Sequence, residues 1–306
     1  METLEHVSDL RIFLAVARHR GFSAAARELE LSPGAVSKQI ARLERALDAQ
    51  LFERNTRHVA LTPEGKKISA HAREALRQLE QAAEVGSAGR ESIAGRIRLV
   101  VPAAFGRKVV APSVAEYRRN NARVDFELDL SDRVSDAVAS DFDFAIVAGA
   151  VSDPRLAARR LTTSRRVLVA APEYLERRGT PRVLGDLKDH DCLALAPRAG
   201  EERAWPLVHE RRRARVAVNG GLTSDNGEVL RAWCCDGFGI ALQETWEVGG
   251  DLADGRLSRV FPTWEGEPIV YRVVRVRRQP MSRRVEAFLA FLNERWGETP
   301  PWNTLA

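Results

Sequence analysis

Lysine is scarce in this chain. Of its 47 basic residues only Lys38, Lys66, Lys67, Lys108 and Lys188 are lysine, leaving 42 arginines. So lopsided a choice reads as genomic base composition, and the formal charge of +5 points only weakly to a nucleic-acid partner. Cysteine is nearly absent. Cys192, Cys234 and Cys235 cannot build a disulfide framework, and no Cys-x-x-Cys or histidine-rich spacing suggests zinc. Buried, reduced thiols are expected, with no metal and no cofactor. Long apolar runs are missing too. No stretch approaches the ~20 residues that cross a bilayer, so no membrane partner is expected. The opening METLEHVSDLRIF lacks the basic segment and apolar core of a secretory signal, which leaves a cytoplasmic address. What is present, 44% hydrophobic and 29% charged residues over 306 positions, describes a folded chain of two or three domains.

Charge does not single out a binding end, since residues 1–62 hold nine Lys/Arg against eight Asp/Glu. Pattern does. Leu10, Phe13, Leu14 and Ala17 recur at helical spacing after Ser8-Asp9, and His19-Arg20-Gly21 closes that helix. Ser23 is expected to cap a short second helix carrying Ala24, Ala25 and Leu29, small enough for close helix approach. Ser32-Pro33 then opens a third, with serine as N-cap and proline where its missing N–H costs nothing. Val36, Ile40, Leu43 and Leu47 face inward on it. Pro33, Gly34, Ser37, Lys38 and Arg42 form the other face, small at the leading end and basic farther along.

Two short helices joined by a tight turn can place the second in a major groove, with Ser37 and Lys38 reaching bases or phosphates and Arg42 a phosphate. An ordinary helical hairpin with a solvated face fits the spacing equally well. The adjoining segment favours the groove reader. Two short strands flank Asn55-Thr56-Arg57-His58, a wing that could lay Arg54, Arg57 and His58 along DNA, and Thr62-Pro63-Glu64-Gly65 starts another helix.

From Phe13 to Gly65 the order, spacing and wing resemble the LysR family of transcriptional regulators. The resemblance implies a winged helix-turn-helix at 1–62, whose helix from Ser32 to Leu47 reads DNA. It also implies DNA-contacting roles for Ser32, Pro33, Ser37, Lys38, Gln39, Arg42, Arg54 and Arg57. Gln39, beside Val36 and Ile40, is expected to be partly packed.

Residues 63–89 read as a linker helix and hinge. Ile68, Ala72, Ala75, Leu79 and Ala82 step as a heptad seam, and Gly86-Ser87-Ala88-Gly89 comes after it. The seam fits either one amphipathic helix packed within a monomer or a dimerising linker, and the resemblance favours the linker.

From Ile93 the pattern alternates strands (Arg96–Val101, Val124–Leu130, Phe142–Ala148, Arg166–Ala171) with helices such as Lys108–Arg119, which implies α/β sheets. The order is similar to the LysR effector domain, two α/β lobes of the periplasmic-binding-protein type. It gives an effector domain at 90–306, with lobe I near 90–162 and 268–306 and lobe II near 163–267. Crossings are expected near Leu161–Arg165 and Thr263–Pro268. Pro102-Ala103-Ala104-Phe105-Gly106-Arg107, Asp143-Phe144-Ala145-Ile146, Pro172-Glu173-Tyr174-Leu175 and His190-Asp191-Cys192-Leu193 carry that likeness.

Two departures bear on the effector. Ala103 and Ala104 stand where the family often has Ser or Thr, and Val147 where related chains tend to have Arg. A more apolar or aromatic small molecule is therefore expected, touching Ala103, Ala104, Phe105, Val147, Ala196 and Phe238, with Asp225 and Asn226 as polar anchors. The rival account makes most of these core residues. Self-association as a homodimer or homotetramer and contact with RNA polymerase are also implied by the resemblance. An enzyme, or a solute-binding protein with an unrelated helical N-terminus, is the competing class. Its best motif, His190-Asp191-Cys192, is weak because adjacent residues point different ways, so no catalytic residue is expected.

Overall fold

The computed structural model describes residues 7–54, 59–86, 93–132, 142–196, 203–277 and 281–304. Contacts divide the chain into two units, Met1–Glu91 and Ser92–Ala306.

Unit 1 is built from α1 (Val7–His19), α2 (Phe22–Glu28), α3 (Pro33–Leu47), the antiparallel strands β1 (Phe52–Arg54) and β2 (Val59–Leu61), and α4 (Pro63–Gly86). Its core joins Phe13 and Val16 of α1, Ala25 and Ala26 of α2, and Val36, Ile40 and Leu43 of α3 to Leu51, Phe52 and Ala72. Alanines on α2 allow that approach. The expected Ser23 cap is corrected: α2 begins at Phe22, and its N-cap lies two residues earlier than expected, on an extended Gly21 that makes no side-chain cap bond. Ser32 does cap α3, its Oγ accepting the Ala35 N–H at 3.1 Å, with Pro33 in the first turn. Asp48, in the left-handed region at φ 46°, ends it.

The entry to α4 is tightly determined. Thr62 Oγ1 accepts the Gly65 N–H at 2.9 Å and donates to Gln50 O at 2.7 Å. A Cβ on Gly65 would lie 2.2 Å from Leu51 O, so only glycine lets the helix start against that strand. The heptad seam divides. Ile68 and Ala72 pack into the unit 1 core, whereas Ala75, Leu79 and Ala82 are exposed, Leu79 by 49%. Of the expected hinge at 86–89, Gly86 is the last residue of α4, and residues 87–89 lie outside the described residues.

Unit 2 has ten described strands, β3 (Gly95–Val101), β4 (Val124–Leu130), β5 (Phe144–Ala148), β6 (Leu156–Ala170), β7 (Cys192–Leu195), β8 (Ala204–His209), β9 (Arg212–Ala217), β10 (Thr223–Ser224), β11 (Ile240–Glu244) and β12 (Ser258–Val276). Their order is β10-β7-β11-β6-β12-β5-β3-β4, with the β8–β9 hairpin attached to β12. Two cores form on it. The first lobe gathers Ile97, Leu99, Phe144, Tyr271 and Val273 from the sheet under Phe105, Tyr117, Phe288 and Trp296 from helices. The second gathers Val167, Leu168 and Val169 with Tyr174, Leu193, Leu230 and Ile240. Both expected crossings fall inside continuous strands, β6 (Leu156–Ala170) and β12 (Ser258–Val276), which pair antiparallel from one lobe into the other. Register shifts near Glu265, Gly266 and Tyr271 make this ribbon irregular there.

The expected helix at Lys108–Arg119 begins earlier. A turn at Ala103–Phe105 runs through a π-turn at Gly106–Val110 into a helix at Ala111–Asn120. A Cβ on Gly106 would meet Val101 Cγ2 at 2.4 Å and Leu130 Cδ2 at 2.5 Å, so glycine lets this turn lie on strands β3 (Gly95–Val101) and β4 (Val124–Leu130).

Candidate nucleic-acid interface and interlobe site

On α3 the buried stripe of Val36, Ile40 and Leu43 leaves Pro33, Gly34 and Lys38 exposed, with Ser37 half-buried. Ser32 spends an Oγ lone pair on the cap, so its O–H can still donate to a partner. Gln39 is half-buried, and its Oε1 is enclosed with no partner in the described structure.

Arg42 differs most from the sequence reading. Its Nη2 meets Asp9 Oδ1 at 2.6 Å and Oδ2 at 2.8 Å, and its Nε meets Oδ2 at 3.2 Å. Asp9 is buried on α1, while the Arg42 side chain keeps 45% of its exposure. A fork-to-carboxylate pair of this kind ties α1 to α3 through the Nε and Nη2 edge of the guanidinium. Sequence reading missed Asp9 as its partner. The signal was an acid one residue before the apolar stripe of α1.

Glu44 on α3 accepts the Leu51 N–H at 2.9 Å and the Phe52 N–H at 3.4 Å, tying α3 to the start of β1. Arg54 closes β1, in register with Val59. Its side chain and all of Arg57 lie outside the described residues.

In unit 2 two expected effector contacts are corrected. Phe105 is 1% exposed, stacked on Tyr271 with centroids 4.0 Å apart and edge-on to Trp246, Trp296 and Trp302. Val147 is 5% exposed and packs with Val100, Ala145, Leu156 and Val274. Both are core, placed there by the strand alternation and helix packing around them. Ala103 and Ala104 are half-buried, and Ala103 N–H donates to Asp132 at 3.1 Å. Ala196, Asp225, Asn226 and Phe238 are exposed. Asn226 caps the helix Gly227–Cys235, accepting the N–H groups of Glu228 at 2.8 Å and Val229 at 3.4 Å.

Where the lobes meet, the groups are charged, and the sequence reading overlooked them. Arg107 pairs with Glu228 of the second lobe, and Lys108 donates to the Glu247 carbonyl. Two adjacent basic residues at the π-turn were the available signal. The Glu247 carboxyl is 5% exposed with its Oε1 unpartnered. Burial, reinforced by the Glu244 carboxylate, pushes it up to about 7. Burial, with Arg231 nearby, lowers Lys108 from the usual lysine range. Glu244, also raised by burial, accepts from Trp246 Nε1 at 2.8 Å and Tyr271 OH at 3.1 Å. Behind it Asp251 holds Arg231 at 2.5 Å and Arg256 at 2.6 Å.

The His190-Asp191-Cys192 motif is structural. Tyr174 OH bonds His190 Nδ1 at 3.1 Å and accepts the Asp191 N–H at 2.9 Å. Burial pushes the Cys192 and Cys234 thiols up to about 12, which suppresses the thiolate a nucleophile needs.

The family model "Bacterial regulatory helix-turn-helix protein, lysR family" matches residues 7–66, and "LysR substrate binding domain" matches residues 90–297. The chain belongs to the LysR family. It is therefore a DNA-binding transcriptional regulator with a substrate-binding domain, not an enzyme. This LysR-type chain is 36% identical over 301 residues to the HTH-type transcriptional regulator DmlR of Escherichia coli K12, covering 98% of each. It is similar to the solved LysR-type regulator CrgA of Neisseria meningitidis at 28% identity and TM-score 0.61, over 95% of this chain and 99% of that one. Full-length OxyR of Pseudomonas aeruginosa, at 17% identity and TM-score 0.70 over 94% of each chain, shares the fold. No described helix is long and apolar enough to cross a membrane.

Proposed function

We propose that α3 of this LysR regulator enters the major groove with Ser37 and Lys38 toward the bases. Ser32, Pro33 and Gln39 lie at or beside that contact, Arg54 and Arg57 flank it from the wing, and Arg42 aims the helix. One observation carries the reading: α3 buries its apolar stripe and leaves a small, polar leading end exposed, capped at Ser32. The domains divide at 1–62, 63–89 and 90–306. Outward-facing Ala75, Leu79 and Ala82 on α4 provide the seam for a homodimer, and effector domains pair it into a homotetramer acting in the cytoplasm. A small-molecule effector sits between the lobes near Ala103, Ala104, Ala196, Asp225, Asn226 and Phe238, and its binding changes contact with RNA polymerase. A ligand does so only if it binds two assembly states with different affinity.

The test is a footprint on the DNA upstream of the regulator's own gene, comparing the native protein with Ser37→Ala/Lys38→Ala. Protection of a near-palindromic site by the native protein, lost in the double variant, is the expected result. Protection unaltered by the two substitutions would mean that α3 is not the reader.

A further inference from the structure

The strands β8 (Ala204–His209) and β9 (Arg212–Ala217) form a hairpin closed by Glu210-Arg211, with Glu210 at φ 53°. Its register runs from Ala204↔Ala217 to His209↔Arg212. β8 joins the sheet through β12 at Glu265 and Gly266, whereas β9 pairs with β8 alone among the described residues. Strand alternation then sorts the side chains. Trp205 and Leu207 are buried, and the residues opposite them, Val216 and Ala214, are half-buried. Arg213 and Arg215 consequently face the other way and are exposed, opposite the uncharged Val208 and Pro206. Arg211 and Arg212 are exposed beside them.

This hairpin carries four arginines against one glutamate between 210 and 217. Arg213 meets Glu267 at 2.9 Å yet keeps 79% of its side chain exposed. No carboxylate among the described residues lies within 4.0 Å of Arg211, Arg212 or Arg215. Some exposed arginines elsewhere in the unit reach acids, as Arg118 does Asp125 at 3.4 Å, Arg155 does Asp153 at 2.6 Å and Arg295 does Glu116 at 2.7 Å, but none of these groups three neighbouring arginines on one strand and turn as the hairpin does. The backbone that carries Arg213 and Arg215 is held in a paired strand. A paired strand holds alternate residues about 6.7 Å apart, a stiff comb that can offer each guanidinium to a separate anion.

We propose that the β8–β9 hairpin is a second DNA contact of this regulator, its arginines engaging phosphates of duplex DNA independently of base sequence. The inference rests on the chain being a DNA binder and assigns a backbone contact outside the winged helix. Guanidinium groups match phosphate in fork geometry, and a polyanion supplies the carboxylate-like partners that this edge lacks. Two other accounts exist. Charges on an edge strand can serve only to prevent edge-to-edge association, and the same comb could take an acidic protein.

The experiment measures affinity of the full-length regulator for a random-sequence 80-base-pair duplex as a function of salt. The native chain is compared with Arg211→Ser/Arg213→Ser/Arg215→Ser and with the triple Lys substitution at those positions. Each phosphate contact contributes about 0.9 to the slope of log affinity against log salt, so loss of three makes it shallower by about 2.7. Over a fourfold rise in salt the native protein then loses about 40-fold more affinity than the Ser variant. The Lys variant keeps most of the native slope, which separates charge from folding, and circular dichroism checks that all three fold alike. Equal slopes for native and Ser variant overturn the proposal, whether the Ser variant self-associates (edge protection) or loses a protein partner (acidic docking). Should the triple Ser variant misfold, the single variants Arg213→Ser and Arg215→Ser take its place, each expected shallower by about 0.9, and native slopes in both would overturn the proposal as well. If the native chain binds no duplex at all, the DNA-binding reading itself fails, a result distinct from equal, finite slopes.

Discussion

Replacing Arg42 by alanine removes the guanidinium that forks onto Asp9 and leaves a carboxylate buried between α1 and α3. The two partners are unequal, because Asp9 keeps 8% of its side chain exposed and Arg42 keeps 45%. Breaking a fully buried pair from one side costs about 3–5 kcal/mol. With one partner half in water the figure falls to about 2–3 kcal/mol for Arg42→Ala. Asp9→Ala leaves an arginine that water can still solvate, and costs about 1 kcal/mol. All six tryptophans and all three tyrosines lie beyond residue 91, so aromatic fluorescence reports only unit 2. Urea unfolding followed by helical circular dichroism should show an early phase from unit 1, with its midpoint lowered by about 1–2 M in Arg42→Ala. The fluorescence midpoint should not move. DNA affinity at 25 °C, where unit 1 stays folded, should fall modestly, and Arg42→Ala/Asp9→Ala should recover much of the stability. Severe loss of DNA binding with an unmoved dichroism midpoint would refute this reasoning and make Arg42 a direct phosphate ligand.

Glu247 makes stability depend on pH. Its carboxyl sits near 7 in the folded chain against an ordinary 4.5, so the folded state holds a proton that the unfolded state has released. Stability therefore falls as pH rises from about 4.5 to about 7, by on the order of 3 kcal/mol, and levels off above. Tryptophan-monitored melting should show that fall, and Glu247→Gln should flatten it; an equally steep profile in the variant would reject the assignment. Gly65→Ala should cost more than about 2 kcal/mol in the circular-dichroism phase, because a Cβ 2.2 Å from Leu51 O forces α4 off the strand. A loss under about 0.5 kcal/mol would show that the helix start is soft. Ser32→Ala should cost about 1 kcal/mol in the same phase through loss of the cap, while Ser32→Asp stays near native.

Unit 1 was legible because its signals are local. Ser32-Pro33, the period of Val36, Ile40 and Leu43, and Thr62-Pro63 state helix starts and buried faces within a few residues. The cap of α2 was misread because Gly21 and Ser23 both suit that place, and the choice is settled by packing. Strand β4 was read at its observed bounds, since alternation over Val124–Leu130 is also local. The lobe junction was not legible. Lys108 meets Glu247 across 139 positions, and no single-sequence period links them. Phe105 and Val147 were misplaced for the same reason. An aromatic after a strand fits a ligand wall or a core equally well until Tyr271 and Trp296 are seen against it.

The ribbon of β6 and β12 has a mechanical consequence. Lobes joined by loops can swing like a door on slack hinges, and the chain between them stores nothing. Here the joint is a hydrogen-bonded pair of strands running through both bodies, so relative motion must twist or flex the ribbon as a torsion bar. Its irregular points near Glu265, Gly266 and Tyr271 are where compliance concentrates. If the proposed effector wedges the lobes apart, it works against the restoring torque of this ribbon. Such a joint returns to rest when the ligand leaves, which suits a sensor whose output must track concentration in both directions.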